Sequence, residues 1–157
     1  MRTRSISCIV IIVGLLAYAL PASAFKCNVN VTGVNFGNYD VFAATPRDAT
    51  GTISVDCNIP TQNPNAPLAV TVAISPGNSG TFAQRQMQGP GTILYYNLYS
   101  TPSFSSVWGD GSGGTYFPTT FITRDTPWTA NIYGRIPAGQ NVQPGSYNDL
   151  LVVTVEW

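Results

Sequence analysis

Residues 150–157 read Leu-Leu-Val-Val-Thr-Val-Glu-Trp. Leu151, Val153, Val155 and Trp157 fall on one face of a strand of period two, and Thr154 and Glu156 fall on the other. Such an apolar row must be covered. No residues follow it here to supply a partner, so the expected cover is an earlier strand or another chain.

The rest of the chain reads in the same period. Leu68, Val70, Val72 and Ile74 alternate with Ala69, Thr71 and Ala73, and Ile53, Val55 and Cys57 share one face of an earlier run. Val29 and Val31 alternate weakly within residues 27–36. Further strands are expected at residues 82–87, 93–99, 119–123 and 130–136. Sustained helical periodicity is absent, and twelve prolines and fifteen glycines punctuate the sequence. Pro76-Gly77-Asn78, Gly89-Pro90-Gly91, Pro144-Gly145 and the Asn63-Pro64-Asn65-Ala66-Pro67 run carry turn chemistry. About seven short strands at this spacing predict an all-β, immunoglobulin-like antiparallel sandwich.

The N-terminus reads as a signal peptide over residues 1–24. Arg2 and Arg4 precede an apolar run, and Ala22-Ser23-Ala24 fits a cleavage site. The alternative, a membrane anchor, needs ~20 apolar residues where about 15 are present. A lipoprotein site is disfavoured by Lys26 directly before Cys27. Residues 25–157 are then one exported domain, with no membrane insertion expected. Cys27 and Cys57 are its two cysteines, and export favours a disulfide over two buried thiols. Its one lysine is Lys26, which argues against nucleic acid or anionic lipid as a partner.

Chemistry is sparse. Without histidine, His-dependent catalysis is excluded. Asp40, Asp48, Asp56, Asp110, Asp125, Asp149 and Glu156 are scattered and read as turn caps and solvated charges, not as a glycosidase pair. Asp110-Gly111-Ser112-Gly113-Gly114 lacks the further carboxylates of a calcium loop. No enzyme activity, metal or cofactor is expected. Tyr95, Tyr96, Tyr99, Trp108, Tyr116 and Trp128 suit either a sandwich core or a sugar-binding surface.

Several segments resemble the spore coat protein U domain family, in order along the chain. They are Val34-Asn35-Phe36-Gly37-Asn38-Tyr39, Ala49-Thr50-Gly51-Thr52-Ile53-Ser54-Val55-Asp56-Cys57, Ser79-Gly80-Thr81-Phe82-Ala83-Gln84-Arg85-Gln86-Met87, Leu94-Tyr95-Tyr96-Asn97-Leu98-Tyr99, Val107-Trp108-Gly109-Asp110-Gly111, Tyr133-Gly134-Arg135-Ile136-Pro137-Ala138-Gly139-Gln140 and Pro144-Gly145-Ser146-Tyr147-Asn148-Asp149. The resemblance implies a subunit of an archaic chaperone–usher pilus, acting in adhesion and biofilm formation. Such a subunit is an incomplete immunoglobulin-like sandwich lacking its last strand. A periplasmic pilus chaperone lends a strand, an outer-membrane usher exports the subunit to the cell surface, and a sister subunit then donates its own strand.

On that reading Val29 and Val31 form one wall of a donor-strand groove, with Leu151, Val153, Val155 and Trp157 on the other. Phe104, Trp108, Tyr116 and Phe117 are the candidates for surface contact. One departure is informative: only Phe25 and Lys26 stand between the expected cleavage site and Cys27. Two residues cannot span a groove at ~3.3 Å per residue. The chain is therefore expected to accept a donor strand without donating one, as a tip or initiating subunit. The competing expectation is a self-contained extracellular binding protein or a coat-layer protein.

Overall fold

The computed structural model describes residues 26–59, 67–124 and 126–157. The expected signal peptide, Phe25 and residues 63–66 of the Asn-Pro turn lie outside these.

Alternating runs become eight strands among the described residues: β1 (Lys26–Thr32), β2 (Arg47–Asn58), β3 (Leu68–Ile74), β4 (Arg85–Gln88), β5 (Ile93–Tyr99), β6 (Thr119–Ile122), β7 (Trp128–Ile136) and β8 (Val153–Glu156). They form two antiparallel sheets, ordered β1-β2-β7-β5-β4 and β6-β3-β8. Each sheet turns its apolar face inward. Ile53 and Val55 of β2, Val70, Val72 and Ile74 of β3, Leu98 of β5 and Ile132 and Ile136 of β7 are buried together. Cys27 and Cys57 stand opposite each other in the β1–β2 register and are joined by a disulfide.

The fold is an immunoglobulin-like antiparallel sandwich. In a complete sandwich of this type a last strand pairs with the strand that β8 represents. Here no described residue pairs with the outer edge of β8. That edge lies at the end of the three-stranded sheet, and β1 ends the five-stranded one.

Two strands are shorter than the sequence suggests, and one is shifted. β1 stops at Thr32 because the chain then turns inward, and Phe36 packs edge-on against Tyr96 with ring centres 5.8 Å apart. This crossing requires Gly134, since a Cβ there would lie 2.6 Å from the Phe36 ring. Arg47 fixes the crossing by donating its Nε–H to the Phe36 carbonyl at 2.7 Å, and the Tyr39 hydroxyl donates to the Pro137 carbonyl at 2.9 Å. The expected strand at residues 82–87 is instead β4.

β8 begins at Val153, not Leu150, because the ladder is altered just before it. The Ser75 carbonyl accepts from Arg85 at 3.2 Å (Nε) and 3.0 Å (Nη2). Val152 still accepts from the Ser75 amide, but donates its own N–H to the Ser75 hydroxyl. Arg85 is fully buried and also donates to Asn97 Oδ1 and the Trp108 carbonyl, both at 2.7 Å. Burial lowers its pKa below the usual arginine value. Its donors meet carbonyl oxygens from both sheets, so this cation acts as a pin between them.

Candidate functional site

The core is interrupted where the β1 and β8 edges approach each other. A cleft of about 310 Å³ is lined by Val31 of β1, by Leu151 and Val153 at β8, and by Val34, Phe36, Ile74, Met87, Leu98 and Ile132 beneath. It meets a second depression of about 630 Å³ under residues 34–42 and 142–147, and Val34, Phe36, Met87 and Tyr147 line both. Together they form one trough.

The register explains why the walls are apolar yet incompletely covered. Val29 and Val31 stand opposite Val55 and Ile53, so they share the inward face. Val55 and Ile53 are fully buried, whereas Val29 and Val31 remain 39% and 47% exposed. Val153 and Val155, opposite Ile74 and Val72, also face inward and are only half-buried. Nothing described lies across these four valines to complete their burial.

The backbone makes the same point. The Ser75 amide donates to the Val152 carbonyl, while the amides of Val72 and Ile74 donate away from β8, to Pro118 and Gly109. In an antiparallel ladder the hydrogen-bonding direction alternates by residue. Val152, Thr154 and Glu156 therefore turn their backbone groups towards β3. Val153 and Val155 turn theirs to the open edge, while their side chains point into the cleft. An open edge beside an exposed apolar row is a template for strand pairing.

One end of the trough is polar and rigid. Asp149 Oδ1 accepts from the Asn78 amide at 2.9 Å, and Oδ2 accepts from the Tyr96 hydroxyl at 2.8 Å. Burial, then the bond to Asp149, pushes the Tyr96 pKa above the ordinary phenol value, so its hydroxyl stays a donor. Gly77 lets the carboxylate approach, since a Cβ there would lie 2.3 Å from Asp149 Oδ2. The segment leading into β8 is thus held to the β3–β4 connection.

Of the groove residues named from sequence, Val31, Leu151 and Val153 line the cleft. Val29 and Val155 continue its walls on the same faces. Trp157 lies outside the cleft lining and is 53% exposed. Sequence reasoning gave no role to Arg85, Ser75 or the Tyr96–Asp149 pair. A signal for Arg85 existed, because it alternates with Met87 and so shares its inward face.

The surface-contact candidates divide. Trp108 is corrected: it is 1% exposed and donates its indole N–H to the Val72 carbonyl at 3.0 Å, so it fills the space between the sheets. Phe104 is half-buried against Tyr99 and Tyr133, with the Arg135 guanidinium 3.7 Å from its ring centre. Phe117 is half-buried beside Gly111, and Tyr116 is 48% exposed. Asp110 caps its own turn by accepting from the Ser112 amide. Among the described residues, no three His, Cys, Asp or Glu side chains gather to hold a metal, and no helix is long and apolar enough to cross a membrane.

The fold resembles one chain of the CsuC–CsuE chaperone–tip adhesion subunit pre-assembly complex from archaic chaperone–usher Csu pili of Acinetobacter baumannii. The TM-score is 0.55 at 22% identity, covering 85% of this chain. This chain spans only 40% of that one. The E. coli Hda pilus minor tip subunit, HdaB, aligns over 83% of this chain and 81% of its own at 18% identity, with a TM-score of 0.38, too distant to bear on the fold. In sequence the chain is 33% identical over 131 residues to Protein U of Myxococcus xanthus, covering 78% of this chain and 70% of that protein. The Spore Coat Protein U domain matches residues 14–154, and it is to this family that the chain belongs.

Proposed function

We propose that this chain is an exported structural subunit of an archaic chaperone–usher pilus, and that the trough between β1 and β8 accepts a β-strand from another protein. The observation that carries this reading is the pairing of features at β8. Val153 and Val155 offer free backbone groups at an open edge and half-buried side chains to the same cleft. A strand laid there would add main-chain hydrogen bonds and cover the valines in one step. The partners on this reading are a periplasmic chaperone, an outer-membrane usher and a sister subunit that donates a strand. The route runs through the inner membrane to the periplasm and on to the cell surface.

As a finer reading we propose the fibre tip, or its initiation, as the position of the subunit, with adhesion and biofilm formation as its contribution. The expectation of cleavage after Ala24 motivates it, and Lys26 stands opposite Asn58 at the start of β1. Phe104, Tyr116 and Phe117 are the side chains to replace in attachment assays. Labelling of the epitope-tagged subunit along the whole fibre, and not at its end, would exclude the tip position.

The deciding experiment is recovery of the tagged chain from the periplasm with and without a co-expressed archaic pilus chaperone. Recovery only as a one-to-one complex supports the proposal. A cooperatively folding monomer obtained alone would move the assignment to a self-contained coat-layer or binding protein. The identity to Protein U, within a family named for a spore coat, favours that second reading.

A further inference from the structure

We propose that a second cleft, at the β6 edge of the sandwich, binds a neutral saccharide. It does not rest on the pilus reading. The cleft has a volume of about 430 Å³ and lies between β6, the start of β7 and the connection that follows β5. Small-molecule sites run from about 300 to 1,000 Å³. β6 and β8 flank β3 on opposite sides, and the two clefts share no lining residue. An occupant of one therefore leaves the other open.

The cleft exists because two inward positions carry side chains a core would not choose. Ala130 sits between Trp128 and Ile132 on the inward face of β7, and its small side chain leaves space. Thr120 stands opposite Val70, on the same face as the buried Ile122, where an aliphatic side chain would close the seam. A polar residue at a core-facing position, without an evident packing gain, marks a site kept for something other than stability.

The lining then specifies the ligand. Trp128, Tyr116 and Trp108 supply rings, and Ser106, Thr119 and Thr120 supply hydroxyls. Trp108 serves only as floor, since its indole N–H is committed to Val72. The hydroxyls of Ser106, Thr119 and Thr120 make no hydrogen bond to another described residue, and none of them is a buried unpaired group. They can exchange water for ligand hydroxyls at little cost. No charged side chain lines the cleft, which removes the means of holding an acidic or basic ligand. Rings beside uncommitted hydroxyls match a pyranose, which has apolar C–H faces and a rim of hydroxyl groups.

The test is calorimetric titration of the full mature chain, in the form in which the periplasm yields it. The probes are cellopentaose, mannopentaose and chitopentaose, with pentagalacturonic acid as the acidic comparison. At least one neutral pentamer should bind with a dissociation constant of about 1 mM or tighter, and the acidic one should not. Tyr116→Ala should weaken binding about tenfold, and Thr120→Val should also weaken it. Phe121→Ala, on the outer face of β6, should leave it unchanged. Absence of neutral binding to folded protein would overturn the proposal, as would equal binding of the acidic pentamer or binding indifferent to Tyr116→Ala and Thr120→Val. Tyr116→Ala should not alter recovery with the chaperone, so the two proposals fail separately.

Discussion

Val152 donates its amide N–H to the Ser75 hydroxyl at 2.9 Å, in the place where an unbroken ladder would use the Ser75 carbonyl. That carbonyl already serves the buried Arg85. A side-chain oxygen therefore completes the last hydrogen-bonded pair before β8, beside the bond from the Ser75 amide to the Val152 carbonyl.

Ser75→Ala should remove that bond and leave the Val152 amide to water. The expected loss is about 1 kcal/mol, read by urea unfolding of the complemented chain. Ser75→Thr, which keeps the hydroxyl, should recover most of it. Equal stability of the alanine variant and the parent would show that the bond contributes nothing.

Val153 and its neighbour give a paired test of the trough. Val153 points into the cleft, whereas Val152 is 61% exposed on the other face. Val153→Asp should abolish recovery of folded protein from the periplasm, because an unpaired carboxylate would have to be buried under the incoming strand. Val152→Asp should be recovered nearly as well as the parent. Normal yield of Val153→Asp would sink the assignment of this face.

Cys27→Ser opens a disulfide that closes a sequence separation of 30 residues. In the chain-entropy account the loss is roughly 3–4 kcal/mol. Periplasmic yield should fall, and fall further without the chaperone. Comparison of parent and variant by quantitative blotting checks this.

Asp48 pairs with Arg135 at 2.7 Å. The hydrogen bond from Arg135 holds the Asp48 pKa below its ordinary 3.8. The folded-state pKa is the lower one, so this contribution is complete above the unfolded value and is lost as pH falls through the folded value. Side-chain exposures of 43% for Asp48 and 34% for Arg135 keep it at or below about 0.5 kcal/mol. Asp48→Asn should lower the neutral-pH urea midpoint slightly, with the difference from the parent shrinking as pH falls from 5 to 3, and so flatten this small acid-side slope. An unaltered slope would exclude the pair as its source.

Strands with strict alternation were legible. Residues 68–74 read as a strand with Val70, Val72 and Ile74 inward, and β3 is that strand with those residues buried. The cysteine pair was legible from count and compartment. Trp108 was not, because a lone aromatic in a glycine-rich connection carries no period to say which way it points. Its burial depends on the Val72 carbonyl, 36 residues earlier in the chain. Arg85 was obscured for the opposite reason: its charge argues for the surface, and only carbonyls from distant segments make burial tolerable. The start of β8 was misjudged because the Ser75 carbonyl belongs to Arg85, a contact that no local pattern encodes.

The covalent link between β1 and β2 has a mechanical meaning. β1 is an edge strand, and Cys27 is the second residue of its ladder. Cys27 ties the free end of β1 through the sulfur atoms to β2, which is gripped on both sides by β1 and β7. The remaining β1 pairs lie beyond this branch point and are shielded from peeling from that end. An edge strand that would otherwise fray from its free end is thereby clamped at that end to a central strand.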